Sequence, residues 1–194
     1  MSIQSLAHWV HDQLDVAKSV DFLGPLALRI YLFFPFWMAG TNKLAGFDST
    51  VAWFGNPDWG LGLPAPELLA FLATWTEIIG AVFLLIGFAT RYITIPLMVT
   101  MVVAIFAVHW DNGWYAIAQS TDPEVADRLN RAKDILRENS NYDWITGKGS
   151  FVILNNGIEF AVTYLVMLLV LFFNGAGKYL SIDHWIKAKF RPED

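Results

Sequence analysis

No cysteine occurs in the 194 residues, which removes disulfides, thiol relays, thiolate metal sites and iron–sulfur ligation from the chemistry this chain can run by itself. Charge is also scarce. Charged residues make up 16 % of the chain, against 55 % hydrophobic and 15 % aromatic, too apolar a balance for an ordinary soluble domain, so an integral membrane protein is expected. The net charge of −5 is spread among loops and gives a nucleic-acid partner no electrostatic support. The first twenty residues contain His8, His11, Asp12, Asp15 and Lys18 and no basic stretch followed by an uninterrupted apolar core. A cleavable signal is therefore not expected, and the first spanning helix should serve as the insertion signal. Internal repeats and low-complexity segments are absent as well.

What is present is a set of long apolar runs. Residues 68–89 form the central one, long enough to cross a ~30 Å hydrocarbon core and carrying a single acid, Glu77, near the middle. An ionisable group at that depth costs on the order of 3 kcal/mol and should face a partner or a cavity. Ala70, Thr74, Glu77, Gly80, Ala81, Leu84 and Gly87 share one mostly small-residue face, against which other helices can pack closely. Three further spans are expected at 22–44, 93–109 and 151–173, giving an all-α, four-helix transmembrane bundle in one domain over 1–194. Residues 2–20 and 181–190 have the pattern of amphipathic helices lying in the membrane interface. Residues 47–66, dense in Gly, Pro and Trp, predict a tight loop.

Residues 111–150 predict a cap outside the membrane. Within it, Thr121-Asp122-Pro123-Glu124 has a capping-box pattern, and Val125, Leu129, Ala132, Ile135 and Leu136 make one stripe, so Pro123 to Asn139 should be an amphipathic helix. Its charged side is a solvated face or a surface for an extracytoplasmic or membrane partner. Four crossings put both termini on one side, and the basic residues at that end place it in the cytoplasm.

Polar residues of four helices fall at similar depths. Counted from the inner helix ends, Arg29 lies about 12 Å up, Glu77 and Glu159 about 20 Å, His109 about 25 Å, and Lys43 near the outer boundary. Asn155 stacks with Glu159 and Thr163 at intervals of four. Arg29 and Lys43 could neutralise the two acids, or one acid could hold a proton. The group then forms either a binding site or a register lock between helices. His109 beside Trp110 also suits a plain interfacial histidine. Met98 and Met101 are too far along the helix from His109 to share a metal with it, so no metal site is expected. A haem is not expected either, since no second axial ligand accompanies His109. At the inner face, Asp183 and Arg91 are positioned for an ion pair.

Arg29 with Gly40-Thr41-Asn42-Lys43-Leu44, then Glu77, Gly80, Leu85, Gly87 and Thr90-Arg91, then His109, Glu159 and residues 175–183 (GAGKYLSID) follow in an order that resembles the DoxX family of bacterial membrane proteins. The resemblance implies a four-helix protein of the bacterial inner membrane associated with oxidation chemistry and with sulfur-handling or antioxidant enzymes. Stretches at 41–44, 54–64, 109–114, 141–144 and 153–160 are similar to a subgroup encoded beside copper-binding modified peptides and their maturation enzymes. The long segment 111–150 departs from a minimal family member.

The expected function is therefore the membrane component of a redox or copper and oxidative-stress system. Glu77 and Glu159 would exchange protons, Arg29 and Lys43 would hold an anion or a quinone headgroup, and Asn155 would orient it. If turnover occurs, the chain takes part as a subunit of a membrane oxidoreductase. A small transporter or export accessory, and a scaffold for a partner enzyme, are the other two readings.

Overall fold

The computed structural model describes residues 18–190; the expected N-terminal amphipathic helix lies almost wholly outside them. Among the described residues the fold is helical without a named strand. Eight α-helices follow in order: α1 Leu23–Ala45, α2 Phe47–Gly55, α3 Pro66–Ile86, α4 Thr90–Val103, α5 Pro123–Asn139, α6 Tyr142–Thr146, α7 Glu159–Asn174 and α8 Ile182–Phe190. Beyond α4 the helix continues as a wider π-helical segment, Ala104–His109, and a 3-10 turn, Trp110–Asn112. Two compact units contain these elements, one formed by 18–101 with 164–190 and the other by 102–163.

In the first unit α1, α3, α4 and α7 enclose one apolar core: Leu32 and Phe36, Ala81 and Leu84, Leu97 and Met101, Leu168 and Leu171. The small face of α3 is buried as its spacing predicts, at Ala70, Thr74, Glu77, Gly80, Ala81 and Leu84. Outside that core the side chains are no less apolar. Phe34, Met38, Phe71, Val99 and Phe173 are all at least half exposed. A water-soluble protein does not present such a surface, whereas lipid tails solvate it at no cost. Three helical stretches, Lys18–Ala45, Pro66–Ile86 and Thr90–Asn112, are long and apolar enough to cross a membrane, and Glu159–Asn174 is a shorter apolar helix.

Local chemistry explains the ends. Pro66 occupies the first turn of α3, where a missing N–H is not needed, and Gly87 closes the helix at φ +65°. There the Gly87 N–H bonds the Leu84 carbonyl and the Phe88 N–H the Phe83 carbonyl. The α3–α4 turn is therefore Gly87 to Ala89, and Thr90 already begins α4, where the sequence pattern had put the connection at 90–92. The Asp183 carboxylate explains the difference: it accepts the N–H groups of Ala89 at 2.7 Å and Thr90 at 2.9 Å, capping α4 from outside the local sequence. The expected Asp183–Arg91 ion pair is replaced by this cap, while Arg91 donates to the Phe173 carbonyl. Part of the expected 47–66 loop is helix α2, whose Phe54 is buried; the Gly- and Pro-rich chain after Asn56 remains non-helical apart from the start of α3.

The largest departure is in the second unit. The span expected from Phe151 becomes helical only at Glu159. Residues 153–159 instead lie along 113–118: Ala118 N–H bonds the Ile153 carbonyl, Asn155 and Asn156 N–H both reach Ala116, and Gly157 N–H reaches Tyr115. A Cβ at Gly157 would lie 2.5 Å from the Gly113 carbonyl oxygen, and Asn156 has φ +59°, so Asn156-Gly157 suits this close extended pairing and opposes a helix. The cap helix α5 runs from Pro123 to Asn139 as its pattern predicts, with the Asp122 side chain accepting the Glu124 N–H. Short α6 follows, begun by an Asn141 side-chain cap.

Candidate functional site

The acid of α3 meets the lysine of α1. Lys43 Nζ lies 2.9 Å from Glu77 Oε1 and 2.7 Å from Oε2, so the ammonium is shared by both oxygens. Glu77 is 3 % exposed and Lys43 24 %. Side chains lean toward the N-terminus of their own helix, and α1 and α3 run antiparallel, so the two reach toward each other from opposite directions. This carries the lysine head back along α1, away from the end of the helix and toward the acid.

Gly40, one turn before Lys43, makes the close approach possible. A Cβ there would lie 2.7 Å from Ile78 Cγ1 and 3.1 Å from Glu77 Cβ. One turn before Glu77 on α3, Thr74 is 0 % exposed, and its hydroxyl has no hydrogen-bond partner among the described residues. A threonine inside a helix ordinarily turns its hydroxyl back onto a carbonyl one turn earlier, as Thr100 and Thr163 do here. Thr74 thus leaves a donor and acceptor uncommitted on the same helix face as the ion pair. The sequence placed it only in the packing stripe.

Arg29 does not share this site. Its guanidinium is 1 % exposed and donates to four carbonyls: Leu84 at 2.7 Å, Leu85 at 2.9 Å, Ala176 at 2.7 Å and Leu180 at 3.0 Å. Leu84 is seven residues beyond Glu77, about 10 Å along the helix axis. Arg29 therefore clamps the end of α3 to the turn before α8, a fork geometry only arginine offers. A Cβ at Gly87 would lie 2.7 Å from that guanidinium carbon, which accounts for glycine at 87 on contact grounds as well as φ.

The other candidates belong to the second unit. His109 Nδ1 lies 2.7 Å from the Asn156 carbonyl oxygen, which also accepts from Asn112 Nδ2 at 3.2 Å. A carbonyl can only accept, so Nδ1 carries the proton and Nε2 is the remaining ring nitrogen of the neutral form. Glu159 Oε2 accepts the Ala116 N–H at 2.9 Å, so this acid fastens the 113–118 strand-like segment to the start of α7. Asn155 is exposed and lies before α7, off the helical stack expected with Glu159 and Thr163.

A helical bundle with an apolar exterior defines a helical membrane protein, and a carboxylate–ammonium pair lies between two of its long helices. Residues 24–110 match the DoxX family model, which covers a little under half of the chain. Arg29, Lys43, Glu77 and His109 fall inside it; Asn155 and Glu159 fall outside. Among curated relatives, the protein named "Putative oxidoreductase CatD" of Bacillus subtilis (strain 168) is 31 % identical over 86 residues, 44 % of this chain and 60 % of the relative. "Inner membrane protein YphA" of Escherichia coli (strain K12) is 33 % identical over 88 residues, again 44 % of this chain and 60 % of the relative. The chain thus spans about 60 % of the length of each relative it matches. No solved structure matches it.

Proposed function

We propose that the chain is the membrane component of a redox system in the bacterial inner membrane, with the Lys43–Glu77 pair and Thr74 forming its binding and proton-exchange site. The observation that carries the reading is a buried carboxylate held by a single ammonium with an uncommitted hydroxyl one turn away. The names of CatD and YphA support an oxidoreductase setting and an inner-membrane location.

The donor set fits a quinone headgroup, whose two ring oxygens need hydrogen-bond donors. Such a group, when bound, supplies two-electron carrier chemistry. Lys43 would turn one N–H from Glu77 to a ligand oxygen, Thr74 would donate to a second polar atom, and Glu77 would relay, one at a time, the two protons that accompany a two-electron change. Electrons would come from a partner oxidoreductase subunit. The exposed α5 surface is the docking face for an extracytoplasmic partner in this reading. A copper-stress setting rests on the resemblance of five short stretches to the copper-peptide subgroup.

The test is native mass spectrometry of the detergent-purified full chain with a short-chain ubiquinone, for the parent, Glu77→Gln and Thr74→Val proteins. Retention in the parent and loss in both folded variants is expected. Equal retention in all three, or none in any, would overturn the binding-site reading and leave the pair as a helix lock, as Arg29 is.

A further inference from the structure

A second polar feature lies at the opposite end of the first unit from Lys43 and Glu77. There the start of α1, the α3–α4 turn, the end of α7 and α8 surround a groove of about 1030 Å³. Its floor is the turn Gly175-Ala176-Gly177. Both glycines have positive φ, +80° and +82°, and a Cβ at Gly175 would lie 3.3 Å from Arg91 Nε, so the backbone comes close to the cation.

The charges around the groove do not balance. Asp183 is committed to the N–H groups of Ala89 and Thr90, and Asp21 stands 3.7 Å from Lys178. Arg91 donates to a carbonyl, and neither it nor Lys187 makes an ion pair among the described residues. Arg29, beneath the floor, bonds only carbonyls, one of them Ala176. Three cations, Arg91, Lys178 and Lys187, therefore line the groove against two carboxylates, and its net positive field draws anions.

A further observation concerns a neutral group. Thr90 lines the groove, is 0 % exposed to water, and its hydroxyl has no partner among the described residues. A buried hydroxyl left without a bond is costly, and a ligand oxygen at the groove would remove that cost. Pro25, Leu28 and Val170 add an apolar wall to the same groove. Cationic heads, a hydroxyl donor and an apolar wall together match an amphiphile with an anionic head.

We propose that this groove binds the phosphate group of an anionic phospholipid, with Arg91 and Lys187 on the phosphate, the Thr90 hydroxyl donating to one of its oxygens, and the lipid's apolar part along Pro25, Leu28 and Val170. The site is independent of the Lys43–Glu77 pair and does not need the redox reading to hold. A basic rim at the end of a bundle is where a membrane supplies such a ligand, since each lysine or arginine near an anionic leaflet adds about fivefold in affinity.

The experiment is native mass spectrometry of the full chain in detergent, titrated separately with phosphatidylglycerol, phosphatidylcholine and inorganic phosphate. Lys187→Gln and Thr90→Val serve as variants, the first on an exposed side chain and the second nearly isosteric, so both should fold. The proposal expects phosphatidylglycerol to be held over phosphatidylcholine, about fivefold weaker in Lys187→Gln, and weaker again in Thr90→Val. Retention of inorganic phosphate without phosphatidylglycerol, lost in the same variants, would keep the phosphate contacts and replace the lipid by the free anion. Equal retention of both lipids, or binding unchanged in the two variants, would overturn it. A purely structural Thr90 would leave lipid retention unchanged.

Discussion

At the scale of single residues, the two halves of the Lys43–Glu77 pair are not equivalent. Lys43 is partly exposed and sits near the end of α1, so a lysine that loses its acid can extend its long side chain toward the interface. Glu77 is buried in the middle of α3 and has no such escape. Lys43→Met is therefore expected to destabilise the protein by about 3 kcal/mol or more, as for other buried pairs stripped of one partner. Glu77→Gln should cost clearly less, and Lys43→Met with Glu77→Gln should recover part of the loss. Unfolding in mild detergent, followed by helix circular dichroism across the double-mutant cycle, measures this; equal losses for the two single variants would contradict the asymmetry. Glu77 was legible in the sequence because an acid inside an apolar run is an anomaly by itself. Its partner was not: Lys43 and Arg29 share one face of α1, and only the packing of α1 on α3 assigns one to the acid and the other to carbonyls.

At the scale of elements, the contact between α1 and α3 depends on glycine. Gly40→Ala would press a methyl group against Ile78 Cγ1 and the Ile78 backbone nitrogen, the latter at 3.0 Å. Backbone cannot yield as a side-chain end can, so the helices must separate, at about 1–3 kcal/mol for overpacking of this kind. The expected outcome is lower thermal stability together with a weaker Lys43–Glu77 bond, so that Gly40→Ala should cost less when Glu77 is already Gln. Additive losses in those two variants would mean that the helix spacing and the pair are uncoupled. The elements themselves were readable where one face carries the signal, as in the buried stripe of α3 and the span of α5. Reading failed at 151–158, where apolar residues lie on both sides of a short polar run and periodicity cannot tell extended chain from helix. Asn155-Asn156-Gly157 was the available warning, a helix-breaking run inside an apolar segment.

At the scale of the whole molecule, the absence of native cysteine makes topology directly measurable. If both termini are cytoplasmic, a single cysteine at Lys189 should resist a membrane-impermeant maleimide in intact spheroplasts and react after lysis. One at Trp144, which is 80 % exposed, should react in both. The reverse pattern would invert the orientation, and identical labelling at both positions in intact spheroplasts would put α6 and α8 on the same side of the membrane.

Composition and patterning by themselves determined that this chain is a helical membrane protein, because burial of backbone polar groups in lipid permits little else, and long apolar runs state the solvent directly. They also singled out Glu77, since the cost of a charge depends on its depth in the run. Which cation neutralises it, where Asp183 spends its carboxylate, and where α7 begins were decided only by tertiary structure. Each depends on contacts between residues 34 to 94 positions apart or on backbone pairing across a loop, and local periodicity has no term for either.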